Sequence, residues 1–280
     1  MKAGAIGLFD SGYGGLTVLS EIKALMPRYD YIYLGDNARA PYGNRSFERV
    51  HEFTLQAVEW LFAKGCHLVV LACNTASAKA LRSIQQINLP LLDPERRVLG
   101  VIRPTAEQVG TLTRSGHVGV LGTEGTIGSR SYEMEIGKLH PGLTVTGEAC
   151  PMWAPLVENR EHDQPGADYF VKQHINRLLE RDPRIDTIIL GCTHYPLLLN
   201  KIHQYLPEGV QAIPQGRQVA ESLIDYLQRH PGMEAKCTKN GTARYYTTDS
   251  PEKFNQMASL FMKEPIDAKK TTIEQKNELV

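Results

Sequence analysis

Leu68-Val69-Val70-Leu71-Ala72-Cys73-Asn74-Thr75-Ala76-Ser77 begins as an unbroken apolar run and ends in a cysteine followed by hydrogen-bonding residues. The run reads as a buried strand, and the residues after it as the turn and helix start that such a strand delivers. Thr187-Ile188-Ile189-Leu190-Gly191-Cys192-Thr193-His194-Tyr195-Pro196 has the same design. Open parallel sheets bind ligands at the carboxyl ends of their strands, so two such thiols can face a small substrate from opposite sides. That arrangement suits moving a proton across a stereocentre.

Around these segments, strand and helix patterns alternate with short connections, as doubly wound α/β sheets require. The first half predicts strands over Ala5–Asp10 and Tyr31–Asp36, and helices over Gly14–Leu25 and Ser46–Lys64. The longer helix carries Phe47, Val50, Phe53, Leu55, Val58 and Leu61 at its apolar positions. Pro90, Asp93 and Pro94 then make a turn-rich passage before Val98–Val101, which places a domain crossing there. A second alternation follows: strands at His117–Leu121, Leu143–Glu148 and up to Gly191, with helices near Thr126–Leu139 and Asp168–Glu180. Val210–Ile213, the helix Val219–Arg229 and Arg244–Thr248 return to the first sheet on this reading. The expected fold is α/β, with two doubly wound domains of mainly parallel strands and a cleft between them. Residues 1–97 and 209–265 form the first, residues 98–208 the second, and the polar stretch 266–280 a loose tail.

At 280 residues, two domains are the natural prior. The 31 basic and 31 acidic residues cancel, so no field of one sign draws the chain to nucleic acid or anionic membrane. The start of the chain lacks a signal-peptide pattern, and no apolar stretch is long enough to span a bilayer. Cys66, Cys73, Cys150, Cys192 and Cys237 are odd in number, which argues against a disulfide framework and for a soluble protein of a reducing compartment.

Asp10-Ser11-Gly12-Tyr13-Gly14-Gly15 follows the first strand. Its glycines let the backbone approach a ligand and its N–H groups attract an anion, although a tight turn needs the same residues. Ala40-Pro41-Tyr42-Gly43 follows the second strand within reach of the same cleft, and by itself reads as turn punctuation. Asn74, Thr75 and Ser77 beside Cys73 offer amide and hydroxyl groups for a substrate's ammonium and carboxylate. Thr193 and His194 do the same beside Cys192, with an imidazole close enough to influence the thiol's protonation. One Cys-x-His pair falls short of a zinc site. Cys66, Cys150 and Cys237 lack such settings and read as packing or surface residues. Glu158 follows a Pro- and aromatic-rich segment. Thr123 and Thr126 sit where a strand meets its helix, which suits capping and ligand contact equally.

Taken together, Phe9–Leu16, Pro41-Tyr42-Gly43, Ala72–Ser77 and Gly191–Leu198 resemble the glutamate racemases, in that order and at that family's spacing, over roughly Gly7 to Leu198. The resemblance implies two α/β domains related by a pseudo-twofold axis, with the active site between them and no pyridoxal phosphate, metal or nucleotide needed. It implies Cys73 and Cys192 as the acid/base pair, Cys73 acting on D-glutamate and Cys192 on L-glutamate. Asp10, Glu158 and His194 would assist the thiols, and Ser11, Tyr42, Gly43, Asn74, Thr75 and Thr193 would hold the amino acid. Asp10, His194, Thr123 and Thr126 join the expected substrate contacts. The implied setting is the bacterial cytoplasm, supplying D-glutamate for peptidoglycan, with a small-molecule partner and a homodimer as the candidate assembly. Two departures stand out. Many members carry an Asp-Ser-Gly-like segment where this chain has Ile213-Pro214-Gln215-Gly216-Arg217-Gln218-Val219-Ala220. The chain also begins almost on its first strand, so activation by a cell-wall precursor through an N-terminal extension is not expected.

Three other readings have distinct signatures. A related aspartate racemase keeps both cysteines and changes the side-chain pocket. A hydrolase using Cys192 and His194 makes Cys73 dispensable and releases a new product. An amino-acid-binding protein binds glutamate and leaves its optical rotation unchanged.

Overall fold

A computed structural model of the chain describes residues 2–262 and 264–273. Among these described residues ten strands form in chain order: β1 (Ile6–Asp10), β2 (Tyr31–Gly35), β3 (Leu68–Leu71), β4 (Arg97–Gly100), β5 (His117–Gly122), β6 (Thr144–Ala149), β7 (Thr187–Gly191), β8 (Gln211–Ile213), β9 (Ala243–Thr247) and β10 (Ala268–Lys270). They assemble into a six-stranded sheet, β10-β9-β2-β1-β3-β4, and a four-stranded sheet, β6-β5-β7-β8. Their pairings are parallel, with Leu8 opposite Tyr33 and Val70 in the first sheet and Val120 opposite Gly147 and Ile189 in the second. All residues of β1, β2, β3 and β7 are buried, as helices on both faces of a parallel sheet demand.

Alternation along a strand divides the core between the two faces. On β1, Ile6 and Leu8 join one apolar cluster while Phe9, with Ala5 just before the strand, joins another. The first cluster runs on into the second half through Leu121, Trp153, Leu190 and Tyr195, so the two halves share apolar packing beneath the cleft. The helix Phe47–Ala63 starts where the Ser46 side chain accepts the Arg49 N–H, and it stops before Gly65, whose φ of 90° favours glycine. Of its expected apolar positions, Val50, Phe53, Val58 and Leu61 are buried. Phe47 is 47% exposed, and its ring lies beneath the Lys79 ammonium.

Four expectations are corrected by the structure. Arg97–Gly100 does not open the second half, because β4 pairs with β3 at the edge of the first sheet. Pro90, expected in a turn-rich passage, sits in the first turn of the short helix Leu89–Leu92, where a missing N–H is harmless. Gln211–Ile213 does not return to the first sheet, because β8 pairs with β7. The chain therefore crosses between sheets after Gly100 and after Ile213. The following helix, Gly216–Arg229, does return, burying Val219, Leu223 and Leu227 in the cluster that holds Leu16 and Leu19. Within the expected loose tail, Ala268–Lys270 pairs with β9 as an edge strand. Its exposed Lys269 and Lys270 suit an edge and disguise it as polar tail. Residues 274–280 of that expectation lie outside the described residues.

The two cysteine-bearing strands occupy matching places. Both β3 and β7 are second from an edge, covered by β4 and β8. Among the described residues, no helix is long and apolar enough to cross a membrane.

Candidate active site

The carboxyl ends of β1, β3, β5 and β7 surround a cavity of about 230 Å³. Its lining includes Ser11, Tyr42, Gly43, Cys73, Asn74, Thr75, Thr123, Glu158, Cys192, Thr193 and His194. One cavity thus collects residues from segments more than a hundred positions apart. Asp10 and Thr126, also expected at the substrate, stand behind this lining. None of the lining residues is Lys or Arg, so the cationic group an anion can meet on this wall is the His194 imidazole, beside neutral amide and hydroxyl donors.

Cys73 ends its strand as the N-cap of the helix Asn74–Lys79, its sulfur accepting the Ala76 N–H at 3.4 Å. The thiol lies 3.6 Å from the Ser11 Oγ. Burial, then the charge of Asp10, push it up to about 12, so at neutral pH it holds its proton. Asp10 is 1% exposed, accepts the Gly12 N–H at 2.9 Å through Oδ2, and leaves Oδ1 without a partner among the described residues. Burial raises its carboxyl above the ordinary range, against the opposing pull of His194 and the Gly12 and Gly15 amides.

The second thiol has a different setting. Cys192 Sγ lies 3.9 Å from His194 Nδ1, and the other ring nitrogen, Nε2, meets Glu158 Oε1 at 3.0 Å. Burial disfavours a charged ring, but Cys192 and Glu158 outweigh it and hold the imidazole up to about 10. The Phe261 ring packs perpendicular to it, with centroids 5.5 Å apart. Sulfur, imidazole and carboxylate form a line along which a proton can move. Glu158→Gln removes one support of the raised value. The His194 ring titration, followed by NMR, then falls from about 10 towards the ordinary 6.5. The stabilisation from charged His194 is complete below 6.5 and lost as pH rises through about 10. The gap in Tm between wild type and variant therefore closes on the alkaline side, and an unchanged ring titration contradicts the assignment.

The remaining groups are sorted by their hydrogen bonds. The Tyr42 hydroxyl donates to buried Asp36, which also receives Arg39 and Thr248. Only the rest of that residue is free to face a ligand. Gly43 presses against Thr123, where an added Cβ would sit 3.1 Å from the threonine Cβ, and its carbonyl accepts the Gly125 N–H at 2.7 Å. Thr123 caps its helix by accepting the Thr126 N–H at 3.2 Å, and it also meets the Thr75 hydroxyl at 2.9 Å across the cleft. Of the two sequence readings, capping holds, and its place on the cavity wall leaves it in reach of a ligand. Thr126 is buried within the same hydroxyl cluster.

Cys150, read from sequence as packing or surface, lies on the cavity wall beside Pro151, Ala154 and Pro155. Its thiol donates to the Glu148 carbonyl at 3.7 Å, and burial raises it well above the usual thiol range. Among the described residues, no group of three or more His, Cys, Asp or Glu side chains is placed to hold a metal ion.

A family model described as Asp/Glu/hydantoin racemase matches residues 15–223. The chain is 39% identical over 259 residues to a glutamate racemase of Geobacter metallireducens, covering 92% of each chain. It is 41% identical over 273 residues to a glutamate racemase of Paracoccus denitrificans, covering 94% of this chain and 98% of the relative. Its fold is similar to a crystal structure of a glutamate racemase isoform from Bacillus anthracis, with TM-score 0.88, 38% identity and 97% and 98% of the two chains covered. It also resembles the glutamate racemase of Francisella tularensis in complex with D-glutamate, with TM-score 0.86, 29% identity and 98% and 99% covered.

Proposed function

Since the chain belongs to the Asp/Glu/hydantoin racemase family, we propose that it interconverts L- and D-glutamate by two-thiol acid/base catalysis without a cofactor. The observation that carries this reading is one cavity walled by both Cys73 and Cys192, each delivered by the matching strand of its own sheet.

One thiolate removes the α-proton from one face, leaving the electron pair on carbon, and the opposite thiol gives its proton to the other face. The sulfur roles are then exchanged, and proton exchange with water restores them. Cys73 serves D-glutamate and Cys192 serves L-glutamate. Cys73, thiol at neutral pH, is ready as the donor when L-glutamate is the substrate. Asp10 acts on Cys73 from behind the cavity wall, while the His194–Glu158 pair takes and returns the Cys192 proton. Positioned neutral donors at Ser11, Asn74, Thr75 and Thr193 stabilise the carbanion-like transition state. Pro151, Ala154 and Pro155 offer an apolar wall for the substrate's methylenes.

Family membership supports a place in the bacterial cytoplasm, supplying D-glutamate for peptidoglycan, and a homodimer is tested by sedimentation of the purified chain. The test of function is incubation of purified, thiol-reduced protein with L-glutamate and no added cofactor, followed by circular dichroism. The signal should decay to zero as D-glutamate forms, with aspartate changing far more slowly. A folded protein that binds glutamate without changing its rotation, or that releases a different product, overturns the proposal.

A further inference from the structure

We infer, on the racemase reading of the cavity, that Gln215 and Tyr132 form a positioning relay that fixes which way round the Asn74 amide faces the substrate. Asn74 follows Cys73 directly, lines the cavity and is 3% exposed. Its Oδ1 accepts the Tyr132 hydroxyl at 2.7 Å, while its Nδ2 is buried with no partner among the described residues. A buried amide N–H without an acceptor is uncommon, and one on a cavity wall is a donor held for a ligand.

The orientation is set from the far end of the relay. The Val101 carbonyl can only accept, and it receives Gln215 Nε2 at 3.3 Å. That fixes the Gln215 amide with its nitrogen inward, where it also meets Thr105 Oγ1 at 3.0 Å and the Tyr132 hydroxyl. The hydroxyl, accepting from Gln215, turns its own proton to Asn74. Asn74 must then present oxygen to Tyr132 and its NH₂ to the cavity. Reversing any link would place an acceptor against an anionic substrate.

The same residues lie where the chain crosses between sheets. Val101 follows β4 at the first crossing and Gln215 follows β8 at the second. Gln215 is 4% exposed and belongs to the segment in which the sequence departs from the family pattern. Tyr132 is 3% exposed and packs against Gly191, where an added Cβ would lie 3.2 Å from ring atom Cε2. Its ring therefore bridges the ends of both cysteine-bearing strands, and Tyr132 and Gln215 act on substrate only through Asn74.

A double-mutant cycle tests the relay. Tyr132→Phe keeps the ring and removes the link; it should raise the KM for glutamate about tenfold in both directions, with kcat within about twofold. Gln215→Met should move KM the same way. In an Asn74→Ala background, Tyr132→Phe should add nothing to KM, nor further weaken the rise in Tm that glutamate gives. An effect of undiminished size in that background means that Tyr132 acts through general packing and overturns the relay, as does an unchanged KM in the single variant. If Tyr132→Phe does not fold, Gln215→Met run through the same cycle decides the question by the same outcomes. A wild type that fails to racemise glutamate overturns the functional reading itself, whereas an active wild type with an additive cycle overturns only the relay.

Discussion

Cys73→Ala and Cys192→Ala each stop racemisation in both directions, with turnover falling about 10⁴-fold, the upper end for loss of an acid/base group. Each variant lacks the base for one enantiomer and the acid for the other. Thermodynamics adds a constraint: the enantiomers have equal free energy in achiral water, so kcat/KM for the two directions must fall together. The third thiol on the wall cannot substitute, because Cys150 is turned to the Glu148 carbonyl and burial keeps it protonated. Binding survives better than turnover, since Asn74, Thr75 and Thr193 remain, and glutamate still raises the Tm of both variants. Circular dichroism in both directions gives the rate and thermal unfolding with glutamate gives binding. Wild-type turnover in either folded variant would make that cysteine structural.

Gly14→Ala lowers kcat/KM about 100-fold although no reacting group is changed. A methyl at this position would lie 2.3 Å from Thr193 Oγ1 and 2.6 Å from His194 Nδ1. His194 cannot simply retreat, because Glu158 holds its far nitrogen and Phe261 packs against its ring. Thr193 is also tied to the first half, its carbonyl accepting the Thr17 hydroxyl at 3.0 Å. The added methyl must therefore displace the loop that carries Cys192, and a displacement of about 1 Å costs on the order of 100-fold in rate. Overpacking of this kind costs about 1–3 kcal/mol of stability, so the variant should fold with a lowered Tm. Activity within about threefold of wild type would show that the loop yields without consequence.

The parts legible in sequence are those with a strong local cause. β1, β2, β3 and β7 are buried on both faces, so each appears as a run of apolar or small residues that needs no knowledge of its neighbours. The cysteines stand out because polar groups follow directly on such runs. Edge strands lack that cause: β8 and β10 have three residues each, and β4 exposes Arg97, so their partners are settled only by tertiary packing. The site shows the same division. Thr123 can be read both as a cap and as a ligand contact because its hydroxyl caps a helix that starts at the cavity wall. The engagement of Tyr42 by Asp36 has no local signal, nor has the bond between Tyr132 and Asn74, which joins residues 58 positions apart. For Gln215 the one clue was its place in a segment that departs from the family pattern. Cys150 does pack in the core, as its apolar setting implies, but its place on the cavity wall has no local signal, because that wall is built by the turn that follows it.

Solvent hydrogen at the α-carbon tests the two-thiol mechanism most directly. In heavy water, purified protein is given unlabelled L-glutamate in one experiment and unlabelled D-glutamate in another, and both enantiomers are recovered early and analysed by mass spectrometry. The donating thiol exchanges with solvent before each turnover, so the product enantiomer should carry one deuterium at the α-carbon while the remaining substrate carries none, in both directions. Early product that retains the substrate's own hydrogen would mean that a single base shuttles one proton between faces, and the assignment of Cys73 and Cys192 as opposed acid and base would be wrong.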